Sequence, residues 1–153
     1  MPLPDYPRIE ALLLTQVRAV TGYNQDNAYI GKWGILNNGK SARYAILRPG
    51  AFSLSYGSAR VDANWNTVIE FYHKYLDDGT SVSEIEIDVR AIIQRLILYP
   101  LIGDTTGTVV QSAVSTGAEP VQILNSGGGP VWYMQALTVV TLEECTVTYE
   151  GLA

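Results

Sequence analysis

The segment Asn64–Tyr75 constrains the fold more than any other part of the chain. Trp65, Thr67, Ile69 and Phe71 alternate with Asn66, Val68, Glu70 and Tyr72. A period of two sends successive side chains to opposite faces of a strand, so this run reads as β-structure. The turn Asp77-Asp78-Gly79-Thr80 follows, and the period then changes. Ile85, Val89, Ile92, Ile93 and Leu96 fall on one helical stripe, and Tyr99-Pro100 ends it. Ser81-Val82-Ser83-Glu84 reads as a capping box, in which hydroxyl and carboxylate each satisfy a free N–H at a helix start. Glu84, Glu86 and Asp88 precede Arg90 and Arg95, an order that suits the helix dipole. A strand handing over to a helix in this way calls for a mixed fold.

The flanking sequence extends the pattern. Residues 7–21 read as a first helix, with Ile9, Leu12, Leu13, Val17 and Val20 on one side. Asp5 or Tyr6 caps it, Pro7 suits its first turn and Gly22 its stop. Residues 23–41 are rich in Asn and Gly yet carry Tyr29, Ile30, Trp33, Ile35 and Leu36. They read as a long loop that gains order in an assembly. Residues 42–48 read as a strand, Pro49-Gly50 as a turn, and Phe52, Leu54 and Tyr56 as the buried side of a further strand. Strand-like runs return at 108–115, 121–124 and 131–142, with a short one at 146–149. In the long one, Met134, Ala136, Thr138, Val140 and Leu142 share a face. Between them Asn125 to Pro130 forms a hairpin tip holding Gly127, Gly128 and Gly129. Residues 1–153 are therefore expected to form a single α+β domain. Its sheet is largely antiparallel, with two main helices, in the order α-β-β-β-α-β-β-β.

Composition limits the chemistry. Apolar residues make up 47% of the 153 and charged residues 16%. That excludes a disordered chain and suggests that part of the surface is covered by another molecule. One His and one Cys form neither a disulfide nor a four-ligand zinc site. No run of 18 apolar residues or secretory leader pattern occurs, so folding in a reducing cytosol is expected, with no membrane and no cofactor. A His73–Cys145 dyad is disfavoured by Glu143 and Glu144, since a reactive thiol needs positive surroundings. Cys145 reads as a buried or edge residue and His73 as a solvated strand-end one. The glycines at 127–129 lack the following Lys-Ser/Thr of a phosphate loop. No catalytic set emerges.

Charge is unevenly placed. Residues 96–153 hold Asp104, Glu119, Glu143, Glu144 and Glu150 without a base, and account for the whole net charge of −5. Residues 27–61 hold Lys32, Lys40, Arg43, Arg48 and Arg60 without an acid. Two faces of opposite sign are expected.

Several segments together resemble one family. They are the helix opening at Arg8-Ile9-Glu10-Ala11-Leu12, the Gly-rich basic loop and the strand Asn64 to Glu70. The capped helix Val82 to Tyr99, closed by Pro100, and the long final strand from Trp132 complete the set. The chain resembles the small tail terminator (tail-completion) proteins of long-tailed bacteriophages. The resemblance implies a structural virion protein that caps the head-proximal end of the tail tube as a hexameric ring and joins it to the head or neck. Its partners would be further copies of itself, the tail tube protein and a neck connector. DNA would pass through without specific binding, and the chain would fold in the host cytoplasm. A head-completion or neck adaptor protein is the alternative in the same class, and a carbohydrate or host-surface binding module the alternative outside it. On the tail-terminator reading Lys32, Trp33, Lys40, Arg43, Arg48, Arg60 and Gly127, Gly128 and Gly129 are expected at subunit or partner contacts. A DNA conduit gains from acids on its wall. Glu143 and Glu144 are therefore expected to face the channel, both replaceable by Lys without loss of folding.

Overall fold

The alternating run around Ile69 lies in the middle of an open sheet. A computed structural model describes residues 3–31, 41–74, 78–125 and 131–146, with the backbone alone for 78, 110–117 and 125. The elements are α1 (Tyr6–Arg18), β1 (Ala28–Ile30), β2 (Arg43–Gly57), β3 (Arg60–Lys74), α2 (Asp78–Leu98), β4 (Val109–Ala118), β5 (Gln122–Asn125) and β6 (Val131–Thr146). This is one α+β domain with two helices and a mostly antiparallel sheet, in the expected order. Strands run β1-β2-β3-β6-β4, with β5 also paired to β6. Among the described strands only β1 is parallel to its neighbour, β2.

The order agrees, but the first three strands are drawn differently. Pro49-Gly50 is not a turn. It begins a bulge inside one long strand, where pairing steps from Pro49–Thr67 to Phe52–Trp65. Three residues on β2 are spent against two on β3, so one residue is extra. That extra residue changes parity. Ala45 and Leu47 lie on the side of Phe71 and Ile69, while Phe52, Leu54 and Tyr56 lie on the side of Trp65, Ala63 and Val61. Odd positions before the bulge and even ones after it thus share a single face. Gly50 permits the close approach, because a Cβ there would meet Asn66 Cβ and O at 3.1 Å. The third strand, β1, arises from the Asn/Gly-rich stretch read as loop, and Arg18 Nε donates to its Ala28 carbonyl at 2.9 Å.

Both helices lie on one side of the sheet. Ile9, Leu13, Leu14 and Val17 of α1 and Ile85, Val89, Ile92 and Leu96 of α2 pack on Leu47, Trp65, Ile69, Phe71, Leu137 and Val139. Asp5 caps α1, its carboxylate accepting from the Arg8 N–H. The capping box is a correction: α2 already begins at Asp78, so Ser81 sits inside it, buried, with its hydroxyl donating to the Lys74 carbonyl. In β6 the helix side belongs to the odd positions Tyr133, Leu137, Val139, Thr141, Glu143 and Cys145, not to the even row. The opposite sheet face holds a smaller cluster of Tyr44, Ile46, Tyr72, Trp132 and Met134. Among the described residues no helix covers that face. No helix among them is long and apolar enough to cross a membrane.

Candidate assembly interface

The outer half of β2 is the first exposed apolar surface. From Ala51 to Arg60 the hairpin projects past the N-terminal end of α1, and every residue in it is exposed. Phe52 is 60% exposed and Tyr56 73%, with Leu54 between them. The bulge aims all three to the helix side, beyond the reach of the helices. Phe52 touches Trp65 at its inner end, ring centroids 5.2 Å apart, and Tyr6 touches the same Trp65 at 5.2 Å. The row therefore continues the core's apolar face into solvent. The expectation of a half-buried strand is corrected accordingly.

The second surface lies on α2 and the turn after it. Ile87, Ile97, Leu98, Tyr99 and Leu101 are exposed. Ile87, Ala91 and Leu98 stand at helical spacing on a stripe distinct from the core stripe. With Ala19, Val20 and Thr21 at the end of α1 they line a groove of about 410 Å³. α1 packs against β1 and β2, whereas α2 packs against β3, β4 and β6. The two apolar surfaces are thus distinct, one on the β2 hairpin and one between the end of α1 and the outer side of α2. A large exposed apolar patch on a folded chain marks a contact site.

The charged candidates are mostly satisfied within the chain. Arg43 pairs with Glu84 at 3.6 Å and Asp88 at 3.5 Å. Arg48 pairs with Glu70, and Arg60 with Asp62 at 2.8 Å and with Glu144. The three described cations of the basic segment therefore do not form the uncompensated positive face that was expected. Glu144 lies on the helix-free side at the outer end of β6, partly exposed. Glu143 is a correction. Its side chain is 1% exposed and faces the helices. Its carboxylate accepts from Arg8 Nη2 at 2.8 Å, Trp65 Nε1 at 2.9 Å and the Asp5 N–H at 3.0 Å. It ties α1 to the sheet and cannot line a channel. Arg8 also reaches Asp104 and Thr108. Burial by itself would raise the Asp104 carboxyl, but hydrogen bonds from the Val109 N–H, Thr106 and Arg8 outweigh it and hold the group well below the usual carboxylate range. Lys32, Trp33, Lys40 and Gly127, Gly128 and Gly129 lie outside the described residues.

The helical periodicity gives no sign of a buried polar group centred on Asp88. Asp88 is not a helix-start residue that compensates the dipole, because α2 begins ten residues before it. Its Oδ2 accepts from Tyr23 OH at 2.5 Å and lies 2.7 Å from His73 Nε2. His73 Nδ1 stands 3.3 Å from Glu84 Oε2. His73 is 2% exposed, not solvated, and links β3 to α2 and to the loop after α1. Burial, with Asp88 beside it, pushes the Tyr23 hydroxyl far above its ordinary value. This set joins β3, α2 and the loop after α1 in the interior. Cys145 pairs with Val61, at the far end of β3 from His73. Twelve residues of strand separate the two, on the order of 40 Å, so they form no dyad. Burial first, then Glu143, raises the Cys145 thiol. Among the described residues no His, Cys, Asp and Glu cluster is arranged to hold a metal.

No protein-family model matches the chain, and no curated protein matches it.

Proposed function

We propose that the chain is a structural ring protein of the tail-terminator kind, closing the head-proximal end of a phage tail tube without catalysis. One observation carries the ring. Most of the exposed large apolar residues fall on two different surfaces, the β2 row and the α2 stripe with the turn after it, while Leu3, Ile30 and Ile123 lie apart. A chain with one sticky patch pairs with itself about a two-fold axis. A chain with two different patches joins head to tail and closes when the rotation allows. The tail-terminator assignment comes from the resemblance of the segments at Arg8, Asn64, Val82 and Trp132.

In this reading the helix-free sheet face looks toward the lumen, with Glu144 at its outer rim. Partly exposed Asn66, Val68, Thr138 and Val140 present a smooth, uncharged wall there. That strip itself presents no cation, and Arg48 and Arg60 on the same face are paired with Glu70 and Glu144, which weakens their hold on phosphates. The neck connector and tube protein would meet the two ends of the ring. The test is a tube-capping assay. Purified protein added to growing tail tubes should co-sediment with them and stop elongation, appearing at one end only. Tubes that lengthen normally with no bound protein would refute the assignment.

A further inference from the structure

The sheet has two free edges among the described residues, and beyond Pro49 with the bulge beside it on β2 and the register shifts of β4 neither carries the usual guards. β1 covers β2 only at Ala45, Ile46 and Leu47. From Pro49 to Gly57 the outer side of β2 pairs with nothing described. The other edge is β4, which pairs only with β6. Natural proteins blunt open edges with Lys, other charges or Pro, since a bare edge templates a further strand. Residues 50–57 contain no charge and no Pro, and neither does β4 from Val109 to Ala118.

The two edges also stand at the same height. Strand registers connect them row by row across the sheet. Leu54 pairs with Ala63, Ala63 with Glu143, and Glu143 with Val109. Phe52 leads in the same way through Trp65 and Thr141 to Ser112. Pro49 leads through Thr67 and Val139 to Val114. Each of the three steps is antiparallel, so β2 and β4 run in opposite directions. A rotation about an axis along the strands carries the β4 edge of one copy beside the β2 edge of the next. It needs no shift along the strand and makes an antiparallel junction, the mode used from β2 through to β4.

We propose that the occupant of the β2 edge is β4 of a second copy of this chain, joined by backbone hydrogen bonds with Phe52 near Ser112 and Leu54 near Val109. Strand addition of this kind takes its affinity from the main chain and its register from alternate side chains. The pairing rests on the ring reading above and supplies its junction. Repeated around the ring it covers both of these described edges. The apolar row Phe52, Leu54 and Tyr56 then meets the α2 flank of the neighbour.

The register names its own probe. Ser53 pairs with Asn64, Asn64 with Leu142, and Leu142 with Gln111. Within one copy Ser53 and Gln111 stand three strand spacings apart, about 14 Å, beyond disulfide reach. Between copies they become neighbours. Cys145 is buried and stays out of the reaction. The full-length double variant Ser53→Cys, Gln111→Cys, oxidised after purification, is expected to give a ladder of covalent multiples of 16.7 kDa on a denaturing gel. Each single variant is expected to give no ladder. Hydrogen exchange on the unaltered protein is the independent arm. Amides in 50–57 and 109–114 should exchange at least about tenfold more slowly in the assembly than in a Leu54→Lys variant. An oligomer that forms no ladder and shows no protection at either edge overturns the edge pairing and leaves a ring built through other surfaces. A ladder and protection in particles that neither close nor bind tubes supports the pairing and overturns the tail-terminator assignment.

Discussion

Glu143 shows how one residue decides between two accounts of the same segment. Two acids side by side near the end of β6 look alike in sequence, yet successive strand residues face opposite ways. Glu144 points to the open side and meets the exposed Arg60. Glu143 points to the core and accepts from Arg8, Trp65 and Asp5. Removing a buried acceptor leaves its donors unpaired, at about 1–3 kcal/mol, and more when one donor is charged. Glu143→Ala should therefore cost about 2–4 kcal/mol in denaturant unfolding, and Glu143→Lys should prevent folding. Glu144→Lys should leave the melting temperature unchanged. A Glu143→Lys protein that folds normally would contradict the packing described. Asp104, beside Arg8, adds a pH signature. Its folded pKa lies below its unfolded value, so the unfolded chain holds more protons in the window between them. Its contribution is fully present above about pH 4 and is lost as pH falls through the lower, folded value. Acid titrations of stability on the unaltered chain and on Asp104→Asn should differ there. The variant should show lower stability at neutral pH and a flatter acid limb.

At the scale of elements, the bulge in β2 gives the hairpin its apolar reach. Without an extra residue at 50–51, Phe52, Leu54 and Tyr56 would turn to the helix-free side. Gly50 makes the crossing possible, since a side chain there would press on Asn66 at 3.1 Å. Gly57, nearer the hairpin tip, would meet only Arg60 Cβ at 3.9 Å. Gly50→Ala is expected to cost about 1 kcal/mol, a melting-temperature fall of roughly 2–4 °C for a chain of this size, and Gly57→Ala much less. Equal effects would mean that the bulge does not hold the strand as described. Sequence alone carried the helices, β3 and the element order, because periods of 3.6 and 2 are local signals. It failed where one local signal has two uses. Pro-Gly marks turns, but it also suits a bulge, and only the partner strand distinguishes the two. β1 is three residues held by a parallel pairing with β2, so nothing local announces it. β6 is apolar on both faces, and the choice of core side depends on where α1 and α2 lie. The Asp88–His73–Tyr23 set joins residues from three elements, and its acid already had a sufficient local explanation at a helix start. The ion pair of Glu143 spans 135 positions to Arg8, beyond any pattern along the chain.

At the scale of the whole molecule, the proposed ring makes each subunit incomplete alone. Charged residues are few, and the described cations of the basic segment are spent on acids of the same chain. In the proposed ring these three arginines therefore add little steering, and apolar area supplies most of the association. Burying a side chain such as Phe52 or Leu54 contributes about 1.5–3 kcal/mol, so a few such groups per junction repeated around a ring suffice for stable closure. In that proposal the sheet face left without a helix among the described residues turns inward and the helices form the outer layer. Electron microscopy of the purified full-length protein tests this most directly. The account expects class averages of a closed ring with sixfold symmetry, an axial opening and helices at the periphery. Single 16.7 kDa subunits, or two-fold dimers without an opening, would contradict it.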